Sequence, residues 1–423
     1  MRTIVCVGVL VSTICSAEVT EAPTGLSNQT NGLVDQALFD SDREAFDELE
    51  TQEGGLGPLY NAQSCRECHQ TPTSGGASQI TELRVGHRDV SGTFQPPSIA
   101  IAGGAQIINT RTLINDRAIC PNASYSEIEL QERVPDTETI QALRLSLPIF
   151  GDGLIEAIPD QVIIDNRNKQ CASKQGICGT VMVVPIVEYP GATAVGKFGW
   201  KAQHASLLSF AGDAYLNEMG VTNRLFPDEV TNLCSTALQP NDGSGGERGG
   251  GDLDRLARFM RALMPPSRDQ SKANSDSALK GAELFKQLGC ATCHVPTYVT
   301  APVGTLLHGN TYMVSDPIAN KAIHPYSDFL LHDVGTGDGI EVIAAENFGK
   351  KTKRHNSIGV ANKLRTPPLW GLRLRSRMMH DGLSVTYISA IQRHTNEALR
   401  AAKAFNALSR SDQEALYQFL QSL

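Results

Sequence analysis

The sequence lacks the features that would place the protein in a membrane or on a nucleic acid. After residue 17 no segment approaches 18 uninterrupted apolar residues, so no transmembrane helix is expected there. Basic residues are not clustered and the formal net charge is −8, which gives no reason to expect a nucleic acid or an anionic membrane as partner. Tryptophan is scarce, with two among 423 residues. Hydrophobic residues nevertheless make up 41% of the chain, which is enough for packed cores and too much for a disordered protein.

The first 17 residues have the features of a secretory signal peptide. Arg2 precedes an apolar run over residues 4–14, and the small residues Ser16 and Ala17 follow it. The run is too short to span a bilayer, and small residues at its end are typical of a cleavage site. We therefore predict that residues 1–17 are removed and that the mature protein is exported to the periplasm.

Two copies of the pattern Cys-x-x-Cys-His are the strongest chemical signal in the sequence. In a c-type haem site the two thiols add to the porphyrin vinyl groups, and the adjacent imidazole becomes the proximal ligand of the iron. One copy alone would also be compatible with a zinc half-site or a redox dithiol. Two copies in an exported chain favour two covalently attached haems. The residues of the two motifs are Cys65, Cys68, His69, Cys290, Cys293 and His294.

The other cysteines of the mature chain indicate disulfides. Of the ten cysteines, two leave with the signal peptide and four belong to the haem motifs. Four remain, an even number, and disulfides persist in an oxidising compartment. Of the three possible pairings we favour Cys171 with Cys178 and Cys120 with Cys234. The alternative is that some of these residues are free buried thiols.

Each haem motif is followed, far downstream, by an amphipathic helix. Residues 253–264 carry apolar and charged residues at helical spacing and stop at two prolines, and residues 412–423 repeat this form. Residues 35–50 have a similar pattern ahead of the first motif, whereas the Gly-rich patch at 243–251 indicates a loop or linker.

This organisation predicts a mostly α fold. We expect two tandem c-type cytochrome domains with long loops and a few short strands. The N-terminal haem domain is expected to span residues 18–270, and the C-terminal haem domain residues 271–423.

Four segments of the sequence resemble a known family, the "di-haem oxidoreductase, putative peroxidase" family, once loosely called thiol oxidoreductases. That family is similar in plan to bacterial di-haem cytochrome c peroxidases and to the di-haem enzyme that matures tryptophan tryptophylquinone. The resemblance covers roughly residues 61–423. The segments that carry it are residues 197–202, 218–222, 326–335 and 365–372.

The resemblance implies that the two haems divide the work of an oxidoreductase. A small redox protein or another donor would reduce the C-terminal haem, and electrons would pass to a reactive N-terminal haem that meets hydrogen peroxide or an oxidisable substrate. A pure electron carrier and an oxidase of an organic or protein substrate are the alternatives. The peroxidase relatives also suggest a bound calcium, for which Asp328, Asp333 and Asp338 are loosely spaced candidates.

The resemblance also suggests how the second axial position of each iron is filled. His394 falls where the peroxidase relatives have a ligating methionine, so we expect His294 and His394 to ligate the C-terminal haem together. Met378 or Met379 is the rival ligand, and a methionine would raise the reduction potential relative to a histidine. For the N-terminal haem, His87 is the candidate sixth ligand. An ordinary surface histidine is the alternative for both assignments.

Glu156 is the predicted catalytic acid. Its neighbours in the sequence are aliphatic, and burial among them would raise the pKa of its carboxyl and suit proton transfer to a peroxide oxygen. The alternative is a salt bridge at the start of a helix.

Four further residues are predicted to hold or connect the haems. Arg365 and His380 are candidates for bonds to haem propionates, although a surface arginine and a packed turn histidine are the simpler explanations. Trp200 and Trp370 are candidates for an electron relay between the haems, with a place in the core as the alternative.

Overall fold

The computed structural model describes residues 18–423 with the exception of 27, 121–123, 174, 232, 235–241, 243–250 and 343–358. The predicted signal peptide therefore lies outside the described residues, as does nearly all of the Gly-rich patch at 243–251. Within the described ranges, no helix is both long enough and apolar enough to cross a membrane.

Helix accounts for 33% of the structure and strand for 16%. Helix predominates over strand, which agrees with the predicted fold class. The strands are more numerous than the few expected, and many of them are only two residues long. In the described part of the chain the helices are α1 Gln36–Asp47, α2 Cys65–Cys68, α3 Glu127–Leu130, α4 Asp152–Glu156, α5 Asp160–Ala172, α6 Leu207–Met219, α7 Asp252–Ala262, α8 Gln270–Ala273, α9 Asp276–Gln287, α10 Tyr387–Gln392, α11 Leu399–Asn406 and α12 Arg410–Ser422.

The strands form several small sheets. They are β1 Thr20–Glu21, β2 Leu59–Tyr60, β3 Thr81–Arg88, β4 Phe94–Gln95, β5 Ile99–Ile101, β6 Gln106–Ile108, β7 Leu113–Ile114, β8 Arg117–Ala118, β9 Ile140–Leu145, β10 Val183–Pro185, β11 Thr193–Val195, β12 Tyr298–Val299, β13 Leu306–Leu307, β14 Tyr312–Met313, β15 Lys321–Ile323, β16 Leu331–His332 and β17 Leu364–Arg365. The largest sheet has the order β4-β3-β7, and β9 also pairs antiparallel with β3. Because side chains alternate along a strand, Glu82 and Arg84 of β3 lie on the same face of this sheet.

Helices α1 and α7, both predicted from their spacing of apolar residues, pack against each other beside the first motif. The rings of Phe39 and Phe46 lie 5.3 Å and 4.8 Å from the ring of Phe259. Burial of each ring contributes about 1.5–3 kcal/mol. At the edge of this contact, two nitrogens of Arg258 donate to the carboxylate of Asp42, each at 2.6 Å. This packing fixes Phe46 6.2 Å from the ring of His69, the histidine of the first motif.

Helices α9 and α12 form the matching contact at the second motif. At Gly281 the two helices approach so closely that a Cβ would lie 2.0 Å from the carbonyl oxygen of Ala415, so only glycine fits. One turn later the rings of Phe285 and Phe419 lie 5.2 Å apart. Phe285 is also 6.2 Å from the ring of His294, which places the second motif on this helix pair.

The hydrophobic core continues across the predicted domain boundary. Its largest cluster of buried apolar side chains joins Phe39 of the N-terminal part to Phe329 and Trp370 of the C-terminal part. Strand β1 near the start of the described chain pairs in parallel with β15. The division into residues 18–270 and 271–423 therefore stays a prediction about two haem units that share a core.

Both predicted disulfides are confirmed. Cys120 is bonded to Cys234, with a Cα–Cα distance of 5.1 Å, and Cys171 to Cys178, with a Cα–Cα distance of 4.5 Å. The first bond closes a loop with a sequence separation of 114 and the second a loop with a separation of 7.

Loss of the long-range disulfide is expected to destabilise the protein more than loss of the short one. Because loop-closure entropy grows with loop length, replacing Cys120 and Cys234 with serine should lower the free energy of unfolding by about 3–5 kcal/mol, and replacing Cys171 and Cys178 by about 2–3 kcal/mol. Urea unfolding of the two double variants, with their haem content matched, measures the difference. Equal losses would show that loop length does not govern the effect.

Candidate functional site

The first Cys-x-x-Cys-His motif forms a single turn of helix, α2. The side chain of Ser64 caps it by accepting from the backbone N–H of Glu67 at 3.3 Å, and the N–H of His69 donates to the carbonyl of Cys65 at 3.1 Å. One turn of backbone therefore presents both thiols and the imidazole together. Cys65, Cys68 and His69 all line a cavity of about 580 Å³, here called the first cavity.

The second motif forms a 3-10 turn over Cys290–Thr292. The turn begins after Gly289, whose φ of +90° is a conformation that favours glycine, and the N–H of His294 donates to the carbonyl of Cys290 at 2.9 Å. Cys290, Cys293 and His294 line a cavity of about 430 Å³, here called the second cavity. The four motif cysteines are free thiols, so each pair is available for covalent attachment.

The motif histidines are in the state that binds iron. Burial lowers the pKa of both His69 and His294 to about 4, so both imidazoles are neutral near pH 7. Nδ1 of His294 donates to the carbonyl of Tyr326 at 3.0 Å, which leaves Nε2 as the free lone pair. Nδ1 of His69 is buried and has no hydrogen-bond partner among the described residues.

His394 offers a second imidazole to the second cavity. It lines that cavity, and its Nδ1 donates to the carbonyl of Ala390 at 2.8 Å, which again leaves Nε2 free. Burial lowers the pKa of His394, which favours the neutral form. Met378 and Met379, the rival candidates for the second axial ligand, line the same cavity.

Three cationic or polar side chains without carboxylate bonds lie on the wall of the second cavity. Burial lowers the pKa of Arg365 to about 10, with Asp152 acting against the shift, and burial together with Arg365 lowers the pKa of Arg375 to about 10. Nε of Arg375 and Nδ1 of His380 are buried and lack a hydrogen-bond partner in the described chain. Such groups are suited to carboxylates that come from outside the protein, and haem propionates fit them. The residues of both cavities thus fit a haem.

The two cavities share one wall. Residues 145–148, Trp200 and Arg365 line both. The indole N–H of Trp200 donates to the carbonyl of Leu145 at 2.7 Å, and its ring meets the ring of His380 edge-on at 6.1 Å. Trp200 therefore lies on the wall between the two cavities.

Trp370 has a different environment. It is 7% exposed, belongs to the largest hydrophobic cluster and is absent from the described walls of both cavities. A Cβ at Gly151 would lie 2.7 Å from its ring, so the tryptophan is tightly packed. This geometry favours the core alternative for Trp370.

The environment of Glu156 does not favour the predicted role of catalytic acid. Glu156 is fully buried and is not among the residues that line either cavity. Its carboxylate accepts from Arg261 at 2.7 Å and 3.0 Å and from the backbone N–H of Leu207 at 2.8 Å. Burial alone would raise its pKa, but the charge of Arg261 and the bonds from Arg261 and His308 outweigh burial and hold the pKa far below its usual range. The salt bridge of the alternative is present, although Glu156 lies at the end of helix α4 and not at the start of a helix.

His87 is likewise placed away from the predicted iron site. It lies in β3, its Nδ1 donates to the carboxylate of Glu138 at 2.9 Å, and it does not line the first cavity. Its bond to Glu138 and its place outside the cavity do not favour His87 as an iron ligand.

The first cavity contains a pair of carboxyl groups that the sequence did not single out. Glu82 and Glu218 both line it and hydrogen-bond to each other. Burial raises the pKa of Glu218 to about 8, and the negative charge of Glu82 adds to the shift. Burial would also raise the pKa of Glu82, but Arg84, which donates to it at 2.6 Å and 3.0 Å, lowers it. At neutral pH one carboxyl is therefore ionised and the other is protonated.

Only one signal in the sequence pointed towards this pair. Glu218 lies in the segment 218–222 that carries the family resemblance, whereas Glu82 belongs to a strand distant in the chain. Asp152 is a further acidic residue on the wall of the first cavity. Burial raises its pKa to about 7, and the charge of Arg365 partly offsets this shift.

Two of the three aspartates suggested for calcium, Asp328 and Asp338, are paired with cationic groups, whereas Asp333 accepts from the side-chain amide of Asn396 at 2.8 Å. Asp338 is paired with Arg144 at 2.7 Å and with Lys201 at 2.9 Å. Asp328 is paired with His332 at 2.8 Å. Asp328 lies with Cys293 and His332 in a group of potential metal ligands, but the charge of Asp328 outweighs burial and raises the pKa of His332 well above its usual value, which favours the cationic form of the imidazole.

The family model described as "Di-haem oxidoreductase, putative peroxidase" matches residues 115–423 of this chain. The matched range includes the second motif and Glu218 and begins after the first motif. No curated protein sequence matches the chain.

Three solved structures show a weak likeness to the chain. Hydrazine synthase of Kuenenia stuttgartiensis is 13% identical with a TM-score of 0.40, covering 100% of this chain and 99% of that chain. A MauG-like protein associated with microbial copper homeostasis is 12% identical with a TM-score of 0.40, covering 97% and 94%. A variant of the diheme peroxidase BthA of Burkholderia thailandensis is 13% identical with a TM-score of 0.30, covering 77% and 95%. These likenesses are too weak to indicate a substrate for this chain.

Proposed function

This chain belongs to the di-haem oxidoreductase family, and we propose that it is a periplasmic c-type cytochrome that reduces hydrogen peroxide at its N-terminal haem. One observation carries the proposal. Each Cys-x-x-Cys-His motif lines its own cavity, and the two cavities share a wall that contains Trp200. A haem bound in the first cavity supplies an iron that binds peroxide and exchanges electrons.

The two cavities differ in a way that suits a division of labour. In the second, His294 and His394 each have a neutral imidazole with a free Nε2, and two imidazoles are the ligand set of an electron-storing site. The first has a single imidazole, His69, among its described lining residues, together with the Glu82–Glu218 pair. An open coordination position beside a proton donor is what peroxide reduction requires. We therefore propose that electrons enter at the second cavity and are used at the first.

Glu218 is the proposed acid. Its carboxyl is protonated below a pH of about 8, and after donation Glu218 regains the next proton itself, because Arg84 lowers the pKa of Glu82 and keeps that neighbour ionised. The role needs a group that gives a proton to the leaving oxygen and regains one before the next turnover. Glu156 is held as a carboxylate by Arg261 and cannot fill this role.

A pure electron carrier is the second candidate. Met219 and Met260 also line the first cavity, and a thioether bound to the first iron would leave no open position. Both methionines are packed within the largest hydrophobic cluster, which favours a structural role.

The experiment that tests the function uses the exported protein with its haems in place. Intact-mass measurement should give the mass of the mature chain plus two haems, and serine in place of either motif's cysteines should remove one. A reduced small redox protein should then be oxidised in a peroxide-dependent way. Retention of two haems without peroxide turnover would leave the carrier.

Replacing Trp200 with phenylalanine is expected to slow electron transfer between the haems while leaving both haem spectra intact. The phenyl ring keeps the packing but is harder to oxidise, and it loses the bond to Leu145, which contributes about 1 kcal/mol to stability. Stopped-flow reduction measures the change, with Trp370→Phe as the control for a packed tryptophan. Unaltered transfer in the Trp200 variant would contradict the relay.

A further inference from the structure

Tyr215 and Glu50 form a buried phenol–carboxyl pair at the edge of the first cavity. Tyr215 lines the cavity, and its hydroxyl donates to Oε1 of Glu50 at 2.6 Å. The two side chains are 4% and 8% exposed. Helix α6 supplies Tyr215, whereas Glu50 follows α1, so two separate elements bring the pair together.

Glu50 is suited to accept and release a proton near neutral pH. Burial raises its pKa to about 7, the bond from Tyr215 lowers it, and the charges of Asp252, Glu48 and Asp242 raise it again. Burial and the charge of Glu50 also raise the pKa of Tyr215, so the phenol stays protonated. The phenol can lose its proton only when it also loses an electron, because an oxidised phenol is a far stronger acid than a neutral one.

We propose that Tyr215 is a redox-active tyrosine that gives one electron to the first haem site, with Glu50 as the acceptor of its proton. The inference rests on the proposed function, since the oxidant is the iron site after hydrogen peroxide has oxidised it. The O–H bond of Tyr215 breaks, an O–H bond forms on Glu50, and the electron passes to the iron site. The products are a neutral phenoxyl radical and a protonated carboxyl group, and an electron from the donor reverses the step.

No other tyrosine described in the structure combines these features. Tyr215 is the sole tyrosine among the described residues that line the first cavity. Tyr298 is equally buried, but its hydroxyl accepts from the side-chain amide of Asn166 at 2.9 Å, and an amide cannot take a proton from it. The ring of Tyr312 lies 4.0 Å from the guanidinium of Arg261, a cation that disfavours oxidation.

The pair gives the first site a second source of electrons. Trp200 lies on the wall between the cavities, whereas Tyr215 lines the first cavity alone. When the second haem has no electron to deliver, Tyr215 holds one oxidising equivalent on the protein. The proton remains 2.6 Å away on Glu50, so return of an electron restores the pair without exchange with solvent.

Freeze-quench EPR of the holoenzyme after addition of hydrogen peroxide tests the assignment. The wild-type protein should give a narrow organic radical signal whose hyperfine splitting collapses when the protein contains ring-deuterated tyrosine. Tyr215→Phe should lose the signal, whereas the matched control Tyr298→Phe should keep it. Glu50→Gln preserves a hydrogen-bond acceptor but not a base, so it should slow formation of the radical about a hundredfold.

The outcomes separate this inference from the proposed function. If peroxide oxidises the haem of the wild-type protein but no tyrosyl signal appears, or the signal survives in Tyr215→Phe, the inference is wrong and the peroxidase function stands. If peroxide leaves both haems unchanged, both proposals are wrong. Should Tyr215→Phe fail to fold, formation of the radical at an unaltered rate in Glu50→Gln overturns the role of the pair.

Discussion

Glu218→Gln is expected to lower kcat/KM for hydrogen peroxide by about 10²–10⁴-fold, which is the usual contribution of a general acid. Both haems should remain attached, because the amide is nearly isosteric with the carboxyl group and can still bond to Glu82. In the wild-type protein kcat/KM should be constant at lower pH and fall as pH rises through about 8, since the pKa of Glu218 lies there and the protonated form is the donor. The variant should lose this dependence. Stopped-flow measurement of peroxide reactivity between pH 5 and pH 10 provides both readouts.

Two control variants separate the acid role from a general effect of removing a charge. Glu67 lines the same cavity and is paired with Arg117 at 3.4 Å, so Glu67→Gln should change kcat/KM little. Glu156→Gln should keep the reactivity with peroxide but lower stability by about 3–5 kcal/mol, because it leaves the buried charge of Arg261 without its partner. If Glu156→Gln abolishes turnover in a folded protein while Glu218→Gln does not, the original prediction is right and the proposed acid is wrong.

His394→Ala is expected to convert the C-terminal haem from six-coordinate low-spin to five-coordinate high-spin. The imidazole of His394 would be the only strong ligand lost, while His294 keeps its bond to the carbonyl of Tyr326. His394→Met should restore a low-spin state with a reduction potential higher by on the order of 100 mV, since a thioether raises the potential relative to imidazole. Optical spectra and a redox titration measure these changes.

The rival ligands have matched variants of their own. Met378→Leu and Met379→Leu should leave the low-spin spectrum and the potential unchanged, because each removes a thioether from the same cavity wall at similar volume. If either leucine variant loses the low-spin state and His394→Ala retains it, the axial ligand is that methionine.

The turns of the two motifs were predictable because they are local, and the presence of disulfides was predictable from the even number of remaining cysteines. Each Cys-x-x-Cys-His motif closes within one turn, so its sequence alone specifies which groups meet. The four remaining cysteines left three pairings, and the observed pairing is the one favoured. Helices α1, α7 and α12 were predicted because their apolar residues recur at helical spacing.

The acid proposed for the first cavity, Glu218, was not predictable, because its raised pKa depends on a partner from a distant part of the chain. The apolar sequence neighbours of Glu156 suggest a raised pKa, but the ion pair with Arg261 of α7 lowers the pKa instead. Glu218 has an unremarkable sequence environment, yet Glu82 of β3 and burial in the cavity raise its pKa. The pKa of a buried group depends on the charges and hydrogen bonds around it in the folded protein, and the sequence pattern alone does not specify them.

The same reasoning explains the outcome for the histidines. His394 was predicted from the resemblance of its segment to a ligating position, and the helical turn to Ala390 orients its ring. His87 follows the first motif more closely along the chain, but strand β3 directs it to Glu138. The distance along the chain from a motif does not say which side of a strand a residue occupies.

Low-temperature EPR of the holoprotein, fully oxidised and after one-electron reduction, tests the central claim most directly. We expect a low-spin signal from the bis-histidine haem of the second cavity and a high-spin signal from the haem of the first cavity. Hydrogen peroxide should consume the high-spin signal. Two low-spin signals in both redox states, unchanged by peroxide, would contradict a reactive first site and identify the protein as an electron carrier.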